Sequence, residues 1–480
     1  MGNYVNHKNV MGAIALQNSG VAGYQSGVVV VNPASCFQAG TVNITPTVNE
    51  EAHPDHTGRM VNKGSTNHAK SVEWEVTLPI EPAGTSGGSA TYAPLMQVGM
   101  LKAPATGFSA TTSCGSAGSV TEVHAAIIKN LSAGMVVPIE TVSGSDKFRM
   151  RQIVSVTSTG PDGSFTVTPA LETAPVSGCR ILKSHTMAPQ NDDTNTSFTV
   201  HALTKKTTQK CTGGFPTGIT VNWGGNARPN ISFTGPGRTY GQVWETTLIS
   251  ALPMVSAASA GSATIAIAGY DSEASGMMVK IGTEVVALGS ATSNLFAIAA
   301  SARGLNGSTE ASAASGATVS AYWPVATSAQ LYGSPVPSPK VFVFFGGRVA
   351  GTVSAIGQTD GSFSLDGGLV AEENEFGSDW LNECYSHQDG ELAPTIEVTG
   401  RLRPDDLQAF QLNQKDTERA ALVQFGETIG NMFAVSLPYT IFKTAQPTGF
   451  GDGQGSIGVT RTREARGKRT GLDAFYLAEG

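Results

Sequence analysis

The sequence predicts a mainly β protein built from several domains. Segments in which apolar and polar residues alternate with period 2 recur along the chain, whereas the 3.6-residue period of amphipathic helices is scarce. Only 14 % of the residues are charged and 57 of the 480 are glycine, a composition that favours strands and loops over charged helix surfaces. At roughly 100–200 residues per domain, the length predicts two to four domains.

The clearest predicted strand covers residues 71–78. In this segment apolar residues alternate with polar ones, which is typical of a strand with one buried and one solvent-exposed face. The apolar residues are Val72, Trp74, Val76 and Leu78. The same alternation predicts strands at residues 219–223, 231–233, 363–365, 396–398, 433–437 and 457–459.

Two short segments predict helices of two or three turns. In residues 93–101, Pro94 suits a first turn and Leu95, Met96, Val98 and Leu101 form an apolar face. In residues 404–412, Asp405 and Asp406 favour a helix N-terminus, and Leu407, Phe410 and Leu412 would face inward.

An internal repeat predicts two small β-modules. The segment around Gly134 resembles the segment around Gly276, and about forty residues later the surroundings of Gly178 resemble those of Gly316. We call residues 117–185 the first module and residues 257–325 the second module.

Excision of the modules leaves two larger blocks. The first block comprises residues 1–116 and 186–256, and the second block comprises residues 326–480. Each contains a strand, a long polar loop, more strands and one predicted helix. The predicted loops are residues 49–70 and 371–389. In compact domains, loops of this length usually have a function or are ordered by a partner.

Several function classes find no support in the sequence. No apolar stretch is long enough to cross a bilayer, and no signal peptide is evident, so we expect a protein made in a cytosol without membrane contact. Five scattered cysteines without a Cys-x-x-Cys pair indicate buried thiols rather than disulfides or zinc. The pair His53 and His56 has no downstream partner, the glycine-rich turn at 235–237 is no dinucleotide fingerprint, and no Gly-x-Ser-x-Gly elbow occurs. We therefore expect no enzyme, no catalytic or metal-binding residues and no cofactor.

Charged clusters are the candidate contact sites. The loops carry Glu50 and Glu51, and then Glu372, Glu373 and Glu375. The only basic run, near the C-terminus, contains Arg461, Arg463, Arg466, Lys468 and Arg469. Because no aromatic residues interleave with these charges for base stacking, they are better interpreted as facing an acidic patch on a neighbouring subunit than as a nucleic-acid site.

The order of several motifs resembles the tail tube proteins of long-tailed bacteriophages. The motifs are Gly40 to Pro46 (GTVNITP), the loop with Asn49-Glu50-Glu51, Gly64 and Lys70, the strand from Ser71 to Pro79, Ala83-Gly84-Thr85 and the helix from Pro94. Residues 217–237 resemble the closing hairpin of that family, and the second block resembles another copy of the fold. The motif Arg303-Gly304-Leu305-Asn306-Gly307-Ser308 resembles small β-modules that decorate phage tail and baseplate proteins.

The resemblance implies two tail-tube-type β-barrel or sandwich domains, each with a short helix, plus the two inserted β-modules. It implies a homotrimeric ring with pseudo-sixfold symmetry, stacked into the tail tube of a virion after assembly in the cytoplasm of the host bacterium. Other tail proteins would be partners, and viral DNA would pass through the lumen without specific binding. The net charge of −7 suits DNA that slides rather than adheres.

Two alternatives remain open from the sequence. The first is another phage or surface β-structural protein, such as a fibre, a decoration protein or an adhesin. The second is a carbohydrate-active tailspike enzyme, which should show clustered acidic and aromatic residues, whereas aromatic residues make up only 7 % of this chain.

Overall fold

The structure is a computed structural model of the full chain and is mainly β. It describes residues 11–16, 36–38, 40–52, 65–86, 88, 90, 92–97, 101–102, 111–126, 131–157, 163–189, 198–225, 227–244, 259–270, 274–292, 294–324, 336–337, 340–346, 353–356, 358–366, 369–370, 387–388, 393–401, 418–448, 458–466 and 472–480.

The first block contributes eleven strands and one helix to the described residues. In chain order they are β1 (Met11–Leu16), β2 (Cys36–Gln38), β3 (Thr41–Ala52), β4 (Ser65–Pro79), α1 (Ala93–Gln97) and β5 (Leu101–Lys102). One more strand of this block, β6 (Thr112–Ser113), pairs with the first module.

The first module and the strand that follows it come next. They comprise β7 (Glu122–Ala125), β8 (Val136–Glu140), β9 (Phe148–Val156), β10 (Gly163–Thr168), β11 (Arg180–Ile181) and then β12 (His185–Pro189). After β12 the first block resumes with β13 (Phe198–Leu203), β14 (Thr207–Gly214), β15 (Gly218–Gly224), β16 (Ala227–Gly237) and β17 (Thr239–Trp244).

The second module and the second block complete the chain. The module contains β18 (Thr264–Ala266), β19 (Met278–Ile281), β20 (Glu284–Ala287), β21 (Ala291–Thr292), β22 (Leu295–Ala297), a 3₁₀ turn (Ala300–Ala302) and β23 (Val319–Ala321). The block contains β24 (Val341–Gly346), β25 (Val353–Ile356), β26 (Asp360–Asp366), β27 (Leu369–Val370), β28 (His387–Gln388), β29 (Thr395–Arg401), β30 (Arg419–Thr428), β31 (Asn431–Thr448), β32 (Gly458–Ala465) and β33 (Tyr476–Glu479).

One long antiparallel sheet runs through both blocks. Its strand order is β25-β24-β30-β31-β32-β29-β26-β15-β16-β4-β3, with β12, β33 and β5 attached off this path. A separate five-stranded sheet in the first block has the order β17-β14-β13-β1-β2. The largest core cluster lies against the long sheet and includes Trp74, Phe233, Phe363 and Phe433.

The predicted strands are confirmed wherever the structure describes them. In β4, Val72, Trp74, Val76 and Leu78 are buried, while Glu73 and Glu75 are exposed. The predicted segments 219–223, 231–233, 363–365, 396–398 and 433–437 lie in β15, β16, β26, β29 and β31, and the seventh reaches into β32 from residue 458.

The helix and loop predictions need correction. Helix α1 ends at Gln97, one turn after it begins, because Leu101 and Lys102 pair with Pro189 and Ala188 instead of continuing the apolar helix face. Both ends of the predicted loop 49–70 are strands, since β3 continues to Ala52 and β4 begins at Ser65, and residues 53–64 lie outside the described residues. The predicted helix 404–412 lies outside the described residues.

The two modules share local backbone geometry. Gly134 and Gly276 both have positive φ, 92° and 77°, and both donate their N–H to a backbone carbonyl, Ile153 O in β9 and Leu288 O just after β20 respectively. Gly178 and Gly316 have the same φ of 85°. A positive φ favours glycine at these four turns.

Each module packs on the other block or the neighbouring sheet rather than standing free. In the first module, Val136, Phe148 and Met150 form a buried cluster with Met432 and Tyr476 of the second block. Polar contacts accompany it, since Gln424 accepts from Met150 N–H and donates to Phe148 O, both at 2.9 Å. The second module shares a core with β1, β2, β13 and β17 of the first block.

The four described cysteines, Cys36, Cys114, Cys179 and Cys211, are buried as predicted, and burial raises the pKa of Cys36 to about 12. Cys384 lies outside the described residues. No helix in the described part of the chain is long and apolar enough to span a membrane.

Candidate strand-pairing edges

The two blocks join directly through backbone pairing of β15 with β26. Seven residue pairs run antiparallel from Gly218 opposite Asp366 to Gly224 opposite Asp360. Just beyond the strands, Gly225 N–H donates to Thr359 O at 2.7 Å. The sheets of the blocks are therefore continuous across this junction.

Trp223 fixes the end of the junction. Its indole is 95 % buried, its Nε1–H donates to Gln358 Oε1 at 2.7 Å, and its ring meets Phe425 edge-on at 5.6 Å. The ring lies over Gly361, where an added Cβ would come within 2.3 Å of it. A large side chain of one block thus fills the space left by a glycine of the other.

Besides β25, its terminal strand at one end, the long sheet has two edges that no described strand covers. Strand β3 pairs only with β4 among the described strands. In β31, residues 433–436 pair with β30 on one side and β33 on the other, and Thr440 pairs with β30 and β32, whereas residues 444–448 pair with β32 alone in the described part of the chain. Uncovered edges present backbone N–H and C=O groups to any strand that fits.

A groove of about 690 Å³ runs beside the β3 edge. It is lined by residues of β3, β4 and β16, among them Ile44, Glu73, Trp74 and Pro236. Trp74 is held in place there by its Nε1–H, which donates to Pro236 O at 3.0 Å.

The solvent face of the long sheet is polar and carries an excess of carboxylates in the described residues. Between the buried residues of β3, β15 and β26 stand Thr, Ser and Asn side chains such as Asn43, Thr45, Asn222 and Ser364. The exposed carboxylates are Glu73, Glu75, Asp360, Asp366 and Glu397, and the exposed cations are Arg228, Arg401 and Lys443.

The acidic residues that the sequence predicted as contacts lie in two different parts of the chain. Glu50 and Glu51 lie in β3, opposite Asn67 and Thr66, in the outer part of the hairpin rather than in a loop. Glu372, Glu373 and Glu375 lie between β27 and β28, outside the described residues, so their role as contacts stays a prediction.

The basic run is not the surface that the sequence suggested. Arg461 and Arg463 are each 98 % buried, because they share the inward face of β32 with Val459 and Ala465. Arg463 packs between the rings of Phe345 and Phe442, 4.6 and 4.4 Å from their centroids, and donates to Thr440 Oγ1. Burial, together with the nearby Arg419 and Arg461 charges, lowers the pKa of Arg463 to about 9.

Arg461 and Arg463 are therefore unavailable for contact with a neighbouring subunit. Arg466 is exposed and its N–H donates to Tyr439 O, so it remains a candidate contact. Lys468 and Arg469 lie outside the described residues.

The junction and the two edges were not predicted from the sequence, although one signal for the edges was present. Pro46 and Pro447 interrupt segments that otherwise have the residue pattern of strands, and a proline within a strand indicates a sheet edge. Nothing in the sequence indicated that Trp223 would meet Gly361, because the two residues are far apart in the chain.

Within the described residues, no group of three His, Cys, Asp or Glu side chains is placed to hold a metal ion. Comparison with protein-family models and with curated proteins finds no match for this chain.

Proposed function

We propose that this protein is a structural component of a bacteriophage virion, which polymerises as stacked rings to form the tail tube through which DNA passes. The observation that carries the proposal is the β15–β26 junction. It joins two strand sets of one chain edge to edge, and it leaves the edge of β3 and that of residues 444–448 of β31 without a partner among the described strands. Such a sheet completes its backbone pairing when copies join into a closed ring.

The two blocks have the same strand order, which supports a ring of repeated units. In the first block the two sheets run β17-β14-β13-β1-β2 and β15-β16-β4-β3. In the second block the corresponding runs are β33-β31-β30-β24-β25 and β31-β32-β29-β26, in which β31 takes part with its two halves. Each chain thus supplies two similar tube domains, and the modules are insertions that pack on their outer parts.

Three chains would supply six such domains, the number that the resemblance implies for one ring. The assembly would be a homotrimer with pseudo-sixfold symmetry, made in the host cytoplasm and incorporated into the virion tail together with other tail proteins. Contacts between copies would be head to tail, since β3 and the end of β31 are different surfaces.

The polar face of the long sheet suits a lumen that conducts DNA. Hydroxyl and amide side chains with an excess of carboxylates offer no array of cations that would hold phosphates, and net negative charge repels them. In this proposal that face points inward, and no specific DNA binding or catalysis is needed.

Electron microscopy of the purified protein tests the proposal. We expect hollow tubes or rings, and a reconstruction in which three chains form each ring with six similar domains. Particles that remain monomeric at high concentration, fibres without a lumen, or rings of six chains would contradict the assembly.

A further inference from the structure

We propose that residues 444–448 of one copy pair with the free edge of β3 in the next copy in one register, in which Gln446 lies opposite Thr45. This inference rests on the proposed function, and it names the two strands and the alignment that join the chains. The partner surface is a second copy of this chain, because the same joint already exists within the chain between β15 and β26.

Strand ends and hydrogen bonds show which residues of the two blocks correspond. Gly40 N–H donates to Thr77 O just before β3, and Thr359 N–H donates to Thr399 O just before β26, with N···O distances of 2.9 Å in both cases. Pro79, the last residue of β4, lies two residues after Thr77, and Arg401, the last residue of β29, lies two residues after Thr399, so Pro79 corresponds to Arg401. In the same way Gly237 at the end of β16 matches Ala465 at the end of β32.

The register follows by tracing pairs through these matches. Thr45 lies opposite Glu73, whose counterpart is Thr395, and Thr395 lies opposite Ser364. Thr45 therefore corresponds to Ser364.

On the other side of the joint, Thr220 lies opposite Ser232, whose counterpart is Thr460, and Thr460 lies opposite Gln446. Gln446 therefore corresponds to Thr220. Since Thr220 is opposite Ser364 within the chain, Gln446 is placed opposite Thr45 between chains.

Two prolines distinguish the joint between chains from the joint within the chain. Because Gly225 donates to Thr359, alternate residues of β15 and β26, including Ile219 with Leu365 and Val221 with Phe363, exchange backbone hydrogen bonds. Pro46 corresponds to Leu365 and Pro447 to Val221, so each strand lacks one N–H donor at the new joint. Each of these two pairs keeps one donor, which makes the joint between chains the weaker of the two.

The proline positions also protect the free chain. A proline whose nitrogen faces outward does not disturb the pairing of β3 with β4 or of β31 with β32, and it lowers the tendency of an edge to accept a wrong strand. A register shifted by two residues would bring the missing donors to other positions.

Disulfide crosslinking tests the register. In an antiparallel pair, residues that do not exchange hydrogen bonds have Cα atoms about 4.5 Å apart, within the range of a disulfide, and Thr45 with Gln446 is such a pair. We expect the double variant Thr45→Cys, Gln446→Cys, in a Cys384→Ser background, to form covalent dimers and trimers on mild oxidation of assembled protein. Diagonal neighbours are about 7–8 Å apart, so Thr45→Cys with Thr448→Cys should form none of these species.

Matched controls separate the outcomes. The variant Thr220→Cys, Ser364→Cys has the equivalent geometry within the chain and should lose two thiols without forming dimers, and the four single-cysteine variants should not crosslink. Rings in the microscope without a Thr45–Gln446 crosslink, or with a stronger Thr45–Thr448 crosslink, would overturn the register and leave the tube function standing. Absence of both rings and crosslinks would overturn the two together.

Discussion

The contact of Trp223 with Gly361 predicts a specific coupling at the joint between the blocks. A methyl group added by Gly361→Ala would lie 2.3, 2.5 and 2.8 Å from three atoms of the indole ring. The ring has little freedom to move away, because Gln358 accepts its N–H and Phe425 meets it edge-on. Overpacking of this kind costs about 1–3 kcal/mol. At about 2 kcal/mol, opening of the joint would become roughly 30-fold more frequent.

A double-mutant cycle isolates this effect. Trp223→Ala alone should cost about 3–5 kcal/mol, since it removes a buried tryptophan. With the ring absent, the further change Gly361→Ala should cost nothing and even stabilise the strand by about 0.5–1 kcal/mol. The two substitutions are therefore strongly non-additive.

Hydrogen exchange of peptides from β15 and β26 measures the opening of the joint. Gly225→Ala is the matched control, because its added Cβ would meet only Thr359 O at an ordinary 3.5 Å. An equal cost of Gly361→Ala with and without Trp223 would refute the contact, and so would an effect of Gly225→Ala as large as that of Gly361→Ala.

Three further predictions concern the module contact, a buried carboxyl and the second loop. Excision of residues 117–185 uncovers Met432 and Tyr476, so we expect size-exclusion chromatography to show aggregation; a soluble chain that still assembles would show that the first module is dispensable. Burial raises the pKa of Glu479 from 4.5 to about 7, so its contribution to stability is present below about pH 4.5 and is lost as the pH rises through 7. Glu479→Gln should flatten the difference between urea midpoints at about pH 5 and pH 8, and an unchanged difference would contradict this assignment. Substitution of Glu372, Glu373 and Glu375 in loop 371–389 by lysine should block tube elongation, which electron microscopy measures. The circular dichroism spectrum of the subunit should stay unchanged. Normal elongation would exclude a role of these three glutamates in the stacking of rings.

Strand identity was predictable because it depends on a local alternation of side chains. The alternation of Val72, Trp74, Val76 and Leu78 with exposed glutamates reflects one buried and one wet face directly. The positive φ at Gly134 and Gly276 likewise follows a local turn. These features need no knowledge of distant partners.

Features that depend on distant strands were not predictable in the same way. The apolar pattern of residues 93–101 predicted a longer helix. Helix α1 ends at Gln97 because Leu101 and Lys102 form a strand that pairs with β12. The basic run was predicted as a surface from its charge alone, although the alternation from Val459 to Ala465 places Arg461 and Arg463 on the inward face. Aromatic rings stack on Arg463 and make such a position tolerable.

Two unlike joints are compatible with one closed ring. A ring of six identical joints requires each to turn the sheet by about 60°. A trimer of two-domain chains requires only that one joint within the chain and one between chains turn it together by about 120°. The sequences of the two joints are therefore free to diverge, provided that one change compensates the other. In the proposed trimer, the placement of Pro46 and Pro447 at the joint between chains is a change of this kind. In a hexamer of single domains each proline would occur six times and alter every joint equally; in the proposed trimer the two prolines would leave the internal joint intact and make the three joints between chains the places where a ring opens and closes.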